Sequence, residues 1–399
     1  MKKFVTVFLL ALALSLIGLS CAAAEEGPSC NGLRRALEQV PPDSLAYAHI
    51  LAMIEAGCVR DFVYTGALES ARHDHSASLL ADGRVLVAGG STGLWQGPSL
   101  ASVEVYDPAS GTWQPGPSLN YPHGGHTATT LADGRIFVTG GIRPGPVWQA
   151  TTEMFDPNAA SWQVMAPMTY PRSMHSATLL PNGEILVIGG WTGSMTLSHV
   201  EAYNPSTNTW RTVGSLLEAR QDHSANLLPD GRVLVVGGYR GTWLGTAEIF
   251  DPATGTSTPT YPPACHGTSH ETVVLADGRI MLVGGACGSG RPGIVAQVSI
   301  FDPVTASWQA VAPMAQARFG MTVNRLDDGR VIVIGGGDGD IALASTEIFD
   351  PATGAWRAGP PMHDARVVHT TTRLANGDLL VAAGWAIDTV TLNTAELFH

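Results

Sequence analysis

LLADGRVLVAGG, residues 79–90, contains the pattern from which the rest of the chain is built. An apolar pair runs into Asp-Gly, the dipeptide that closes the tightest β-hairpins. The run after Arg84 is apolar without alternation, as in a strand covered on both faces. It ends on two glycines, where positive φ or a close backbone approach leaves no room for a Cβ. The same phrase returns as LLPDGRVLVVGG at 227–238 and VLADGRIMLVGG at 274–285, and more loosely as LLPNGEILVIGG at 179–190.

The turn recurs at Asp82, Asp133, Asn182, Asp230, Asp277, Asp328 and Asn376, spaced 47 to 51 residues. Seven copies of such a unit point to propeller blades rather than a short-period solenoid. Each unit reads as four strands, a to d. Strand a is of the HSASLL type and strand b is the apolar run. Strand c has the form E-x-[YF]-[DN]-P, as in Glu104–Pro108, where the proline stops the ladder. Strand d carries a Trp six residues after that Asp or Asn, at Trp113, Trp162, Trp210, Trp308 and Trp356.

Gly-Gly, Tyr/Phe and Trp in this order resemble the kelch repeat family across residues 62–399. The resemblance implies an all-β, seven-bladed propeller. The last unit stops at AELFH after strand c, whereas DFVYTGAL, before the first strand a, aligns as a strand d. The first strand is therefore expected to complete the last blade and remove its free edge.

Residues 1–24 read as a signal peptide: Lys2 and Lys3, an apolar stretch, then an A-x-A site at Ala22–Ala24. Secretion or periplasmic export is the resulting expectation. Lipid anchoring through Cys21 is the alternative. Residues 25–60 read as a helical hairpin outside the repeats, tied by Cys30–Cys58, with Cys265–Cys287 as a second bridge inside one repeat. Without residues 1–24 the chain has no lysine, and its charge is 20 − 34 = −14. That balance argues against nucleic acid and anionic membranes as partners, and no integral membrane segment is expected in the mature chain.

No cofactor or metal is expected. Histidines seven residues before six of the seven turns (His75, His126, His175, His223, His270, His369; Met321 in the other copy) recur too regularly to be anything but framework. Gly89–Gly93 matches G-x-S-x-G but precedes a loop, not the helix a nucleophile elbow needs. The copper radical oxidases among kelch propellers need a Tyr–His pair, and no Tyr here is followed by His. Asp338 and Asp340 offer too few carboxylates for Ca²⁺. A sugar-modifying enzyme of the mutarotase type, acting in the central channel, stands as an alternative function, and a purely structural surface protein as another.

Function is more readily sought in the residues the copies do not share. Five tryptophans lie outside strand d, and all fall in loops between strands b and c: Trp95, Trp148, Trp191, Trp243 and Trp385, joined by Tyr239. Alternation of the strands puts those loops on the same face as the d–a loops. The d–a loops deliver Arg72, Arg172, Arg220, Arg318 and Arg366, the repeat position at which eukaryotic kelch adaptors bind acidic peptides. A binding module is expected, taking a protein or glycan ligand on that face through these eleven residues; the alternatives are inter-blade pairing of the arginines with neighbouring Asp or carbonyls and packing of the tryptophans beneath residues 25–60. The fifth copy departs most, with Ser257 for Trp, Gly267 for Arg and Ser299 for Glu.

Overall fold

The computed structural model describes residues 61–399 apart from 94–96, 263, 265, 266, 289–292 and 387–389; before Asp61 only Val40, Pro41, Ser44 and Tyr47 are described. The signal peptide, the helical hairpin, Trp95, Cys30, Cys58 and Cys265 lie outside these residues.

Seven four-stranded antiparallel sheets make up the fold. Blade three shows the plan: Ser176–Leu179, Ile185–Ile188, His199–Asn204 and Thr209–Ser215 pair in sequence order. Its a–b turn places Gly183 at φ 84°, which Asp-Gly and Asn-Gly supply at little cost. Where the turn is Asp-Gly-Arg, as at Asp230–Arg232, the Asp accepts the Arg backbone N–H at 3.0 Å and its guanidinium Nε at 2.8 Å. These exposed pairs stabilise the turn by at most about 1 kcal/mol.

All four residues of strand b are buried in every blade, from Val85–Ala88 to Leu379–Ala382. The core is a series of layers between blades. Leu86 and Ala88 of blade one, for example, meet Ile136, Val138 and Phe155 of blade two. That explains why the b runs do not alternate: both faces of each sheet are interior. The strand d tryptophans seal the outer rim. Trp210 packs on Tyr203 at 5.1 Å and donates from Nε1 to the Ala166 carbonyl at the end of blade two, 2.7 Å away. Trp162 does the same for Pro117 O at 2.8 Å. Ser257 breaks this series in the outer strand of blade four, Thr256–Thr260.

Residues Tyr64–Leu397 form one compact unit. Within it the innermost strands touch in cyclic order, Ser76–Leu79 meeting both Thr127–Thr130 and Thr370–Arg373. In the seventh sheet Phe62–Tyr64 is the outer strand, beside Ala395–Phe398. Phe62 lies 5.0 Å from Phe398, and Thr65 N donates to Ala395 O at 3.0 Å. The expected closure by the first strand is present.

Candidate functional site: the b–c and d–a loop face

The double glycine explains why one face of the disc is built so regularly. At Gly189–Gly190 the chain turns with φ of 60° and 102°, and Gly190 N donates to the carbonyl of Arg220 in the next blade at 2.9 Å. A Cβ on Gly189 would stand 2.4 Å from that same oxygen. The bond is repeated around the ring, and Gly384 N to Arg72 O at 2.9 Å closes it.

The arginines belong to this clasp. Arg172 is fully buried. Its Nη1 donates to Gly189 O at 2.8 Å, and its Nη2 meets the Glu201 carboxylate, which also takes the Thr169 N–H at 3.0 Å. Arg72–Glu104, Arg220–Glu248, Arg318–Glu347 and Arg366–Glu396 repeat the pair. In blade two His123 takes the arginine's place, between Gly140 O and Glu153. The placing of these five arginines as ligand contacts therefore has to be corrected. Their guanidinium groups are 0% exposed and committed to the Glu of strand c, so no charge is left for a ligand to meet. The shared Glu of strand c was the signal for this.

Nearer the axis, the residue before each repeat histidine adopts positive φ: Asp74, Gly125, Met174, Asp222, Ser269, Gly320 and Val368. Backbone bonds link neighbours in this collar, such as Asp222 N to Met174 O at 2.8 Å and Val368 N to Gly320 O at 2.9 Å. Next along each chain, the histidines bond to their neighbours as framework. His126 Nε2 meets Ser76 Oγ at 2.8 Å, His223 meets Ser176 at 2.9 Å and His75 meets Thr370 at 2.8 Å. Each binds the hydroxyl one position after the histidine of the preceding blade. Burial holds His126, His223 and His369 neutral, with pKa values lowered to about 3.

One junction departs from the rule. Met321 stands for the histidine and Glu271 for the hydroxyl. The Glu271 side chain keeps solvent contact, and desolvation by the strands packed around its carboxyl pushes it up to about 7, with Asp222 adding a like charge. Asp222 is itself raised to about 6 by burial and by Asp74, although Ser269 donates to it at 3.0 Å. These carboxylates were missed in the sequence. The residue after the repeat His or Met is Ser or Thr in every copy except at Glu271, and that exception was the available signal for the second.

The loop aromatics lie outside the collar and are half-buried: Trp148, Trp191, Tyr239, Trp243 and Trp385. They lean on the next blade. Trp148 Nε1 donates to Ser173 Oγ at 3.0 Å, and a Cβ on Gly193 would stand 2.4 Å from its ring. Tyr239 and Trp243 meet edge-on at 5.7 Å, and Trp385 lies 6.5 Å from His73. Six exposed large apolar side chains share this face: Val147, Met195, Ile341 and Val390 in b–c loops, Leu217 and Tyr261 in d–a loops. The opposite face carries the Asp-Gly-Arg ion pairs. Among the described residues no His, Cys, Asp and Glu cluster could hold a metal ion.

This architecture defines a repeat propeller with one apolar loop face. The chain is a kelch-repeat β-propeller. A family model described as the KLHDC2/KLHL20/DRC7 kelch-repeats domain matches residues 48–238, and the kelch motif matches 225–259 and 326–363. Among solved structures, a fungal alcohol oxidase of the AA5 family in complex with copper is similar at TM-score 0.68 and 20% identity, over 84% of this chain and 75% of that one. YjhT is similar at TM-score 0.54 and 16% identity, over 69% and 94%. Both likenesses concern the fold. Galactose oxidase of Gibberella zeae is 31% identical over 72 residues, 18% of this chain. The chain spans only 10% of the length of that relative.

Proposed function

We propose that this chain is an exported binding module that takes a partner protein on its b–c and d–a loop face. One observation carries the reading: six exposed apolar side chains and five half-buried aromatics gather on that face, whereas the other carries the ion-paired turns with Val274 and Val304 exposed among them. Patches of this kind, centred on aromatics, mark interaction surfaces. Export rests on residues 1–24 alone. Peptide and glycan arrays probed with the mature protein test the reading. Peptide binding is expected, lost in Met195→Asp and Ile341→Asp and kept in Arg232→Glu on the opposite face. Binding to glycans alone, or binding that Arg232→Glu removes, would refute it.

A second reading, a sugar-modifying enzyme in the channel, is favoured by Asp222 and Glu271. Carboxyls held near pH 6 and 7 suit proton transfer at neutral pH. Interconversion of sugar anomers followed by NMR, abolished in Glu271→Gln, would support it; no acceleration by the parent protein would end it. Cys265–Cys287 is also proposed as a bridge between loops of the same face, supported by Cys287 being disulfide-bonded.

A further inference from the structure

Charge divides the loop face in a way that neither the fold nor the clasp requires. The b–c loops of blades two, three and four, 142–149, 191–198 and 239–246, contain no carboxylate. Two of them carry arginines of a different kind from the buried five. Arg143 and Arg240 are exposed, and among the described residues neither has an ion pair. Trp148 and Trp243 share their loops, and Trp191 stands in the b–c loop of the blade between. Two carboxylates at the start of blade four are engaged: Glu218 by Arg220 and Thr246, Asp222 by Ser269.

Across the collar the sign reverses. Blade six presents Asp340, exposed, beside Asp338, whose carboxylate caps its own loop. The loop into blade one adds exposed Glu69, and Asp74 stands on the collar itself. In a chain whose formal net charge is −12, an acid-free arc with two exposed guanidinium groups that have no ion pair among the described residues attracts an anion locally.

We infer that the partner segment is an extended peptide carrying both signs. Its acidic residues lie over blades two to four, against Arg143 and Arg240, with an apolar side chain among the tryptophans. Its basic residues lie over blades six and one, against Asp340 and Glu69. This deepens the binding-module reading and rests on it. Complementary charge fixes orientation and raises the association rate, while the aromatic arc supplies apolar contact.

A random dodecapeptide library displayed on phage, panned against the mature protein, tests the inference. Enriched sequences are expected to combine Asp or Glu, a Trp, Leu or Phe, and Lys or Arg. Synthetic copies should bind at least 10-fold more weakly to Arg143→Glu/Arg240→Glu and to Glu69→Lys/Asp340→Lys, with the loss shrinking in 0.5 M salt. All four sites are exposed, and unchanged melting curves will show that both variants fold. Binding lost in Trp191→Ala but unaltered by the Arg reversals overturns the charge assignment and leaves the face reading intact. A response to only one reversal pair overturns the two-signed segment. A library that yields no binder, or only binders indifferent to all these changes, overturns both readings.

Discussion

Replacing Arg172 by Leu removes one half of a buried ion pair and leaves the other in place. Arg172 is 0% exposed and Glu201 1%, so the stranded carboxylate keeps only the Thr169 N–H. Breaking such a pair from one side costs about 3–5 kcal/mol, because a buried charge goes uncompensated. Glu201→Leu should cost as much, since it strands the guanidinium between the carbonyls of Gly189 and His199. The double variant Arg172→Leu/Glu201→Leu removes both charges and leaves only unmade hydrogen bonds, at about 1–3 kcal/mol each. It should cost no more than the worse single change, giving a coupling energy of about 3 kcal/mol. Urea unfolding of the four proteins reads this directly. Additive single effects, or singles below about 1 kcal/mol, would refute the clasp as the role of these arginines.

The two classes of tryptophan should separate in thermal melts. Trp162→Ala, which empties the rim between Phe155 and Pro117, should cost about 3 kcal/mol or more, and Trp148→Ala about 1–2 kcal/mol for its half-buried ring and one hydrogen bond. Equal losses would make the loop rings plain packing residues. Deleting the chain through Tyr64 removes Phe62 from Phe398 and the Tyr64–Asp364 bond and bares the edge of Ala395–Phe398. Light scattering should show aggregation, and a monomer with unaltered melting would mean that the first strand is dispensable. Between about pH 4 and 7 two sets of groups should act on stability in opposite directions. The folded state keeps His126, His223 and His369 neutral, so their contribution is present above pH 6.5 and lost as the unfolded chain takes up protons in acid. Asp222 and Glu271 bind their protons more firmly when folded, so their contribution is present in acid and lost as pH rises through about 6 and 7. Urea midpoints between pH 4 and 9 measure the sum, and Glu271→Gln should remove an opposing share and steepen the rise of stability from acid toward pH 7.

Local chemistry made the framework legible. Asp-Gly can close only a narrow class of turns, an unalternating run such as Val233–Val236 must be covered on both faces, and a Gly pair must meet another chain's backbone. Each was visible in residues adjacent in sequence, so the blades and their closure could be read before any contact was known. The arginines were harder to place, because their role depends on a residue about 30 positions away: Arg172 is defined by Glu201, and Arg72 by Glu104. Glu recurs in strand c wherever Arg, or His123, recurs in the d–a loop, and both vanish together at Gly267 and Ser299. That covariation within one chain carried the pairing. A residue shared by every blade is held by every blade, and so is spent on the ring itself. The same logic turns attention to positions where the ring does not need the residue it has: Arg143 and Arg240, which have no ion pair among the described residues, and Glu271, which stands where its neighbours keep a hydroxyl. A symmetric scaffold cannot by itself favour one side of its own face. Whatever selects a ligand's orientation must come from such unrepeated residues, and on this face they place unpaired positive charge on one side of the collar and exposed carboxylates on the other.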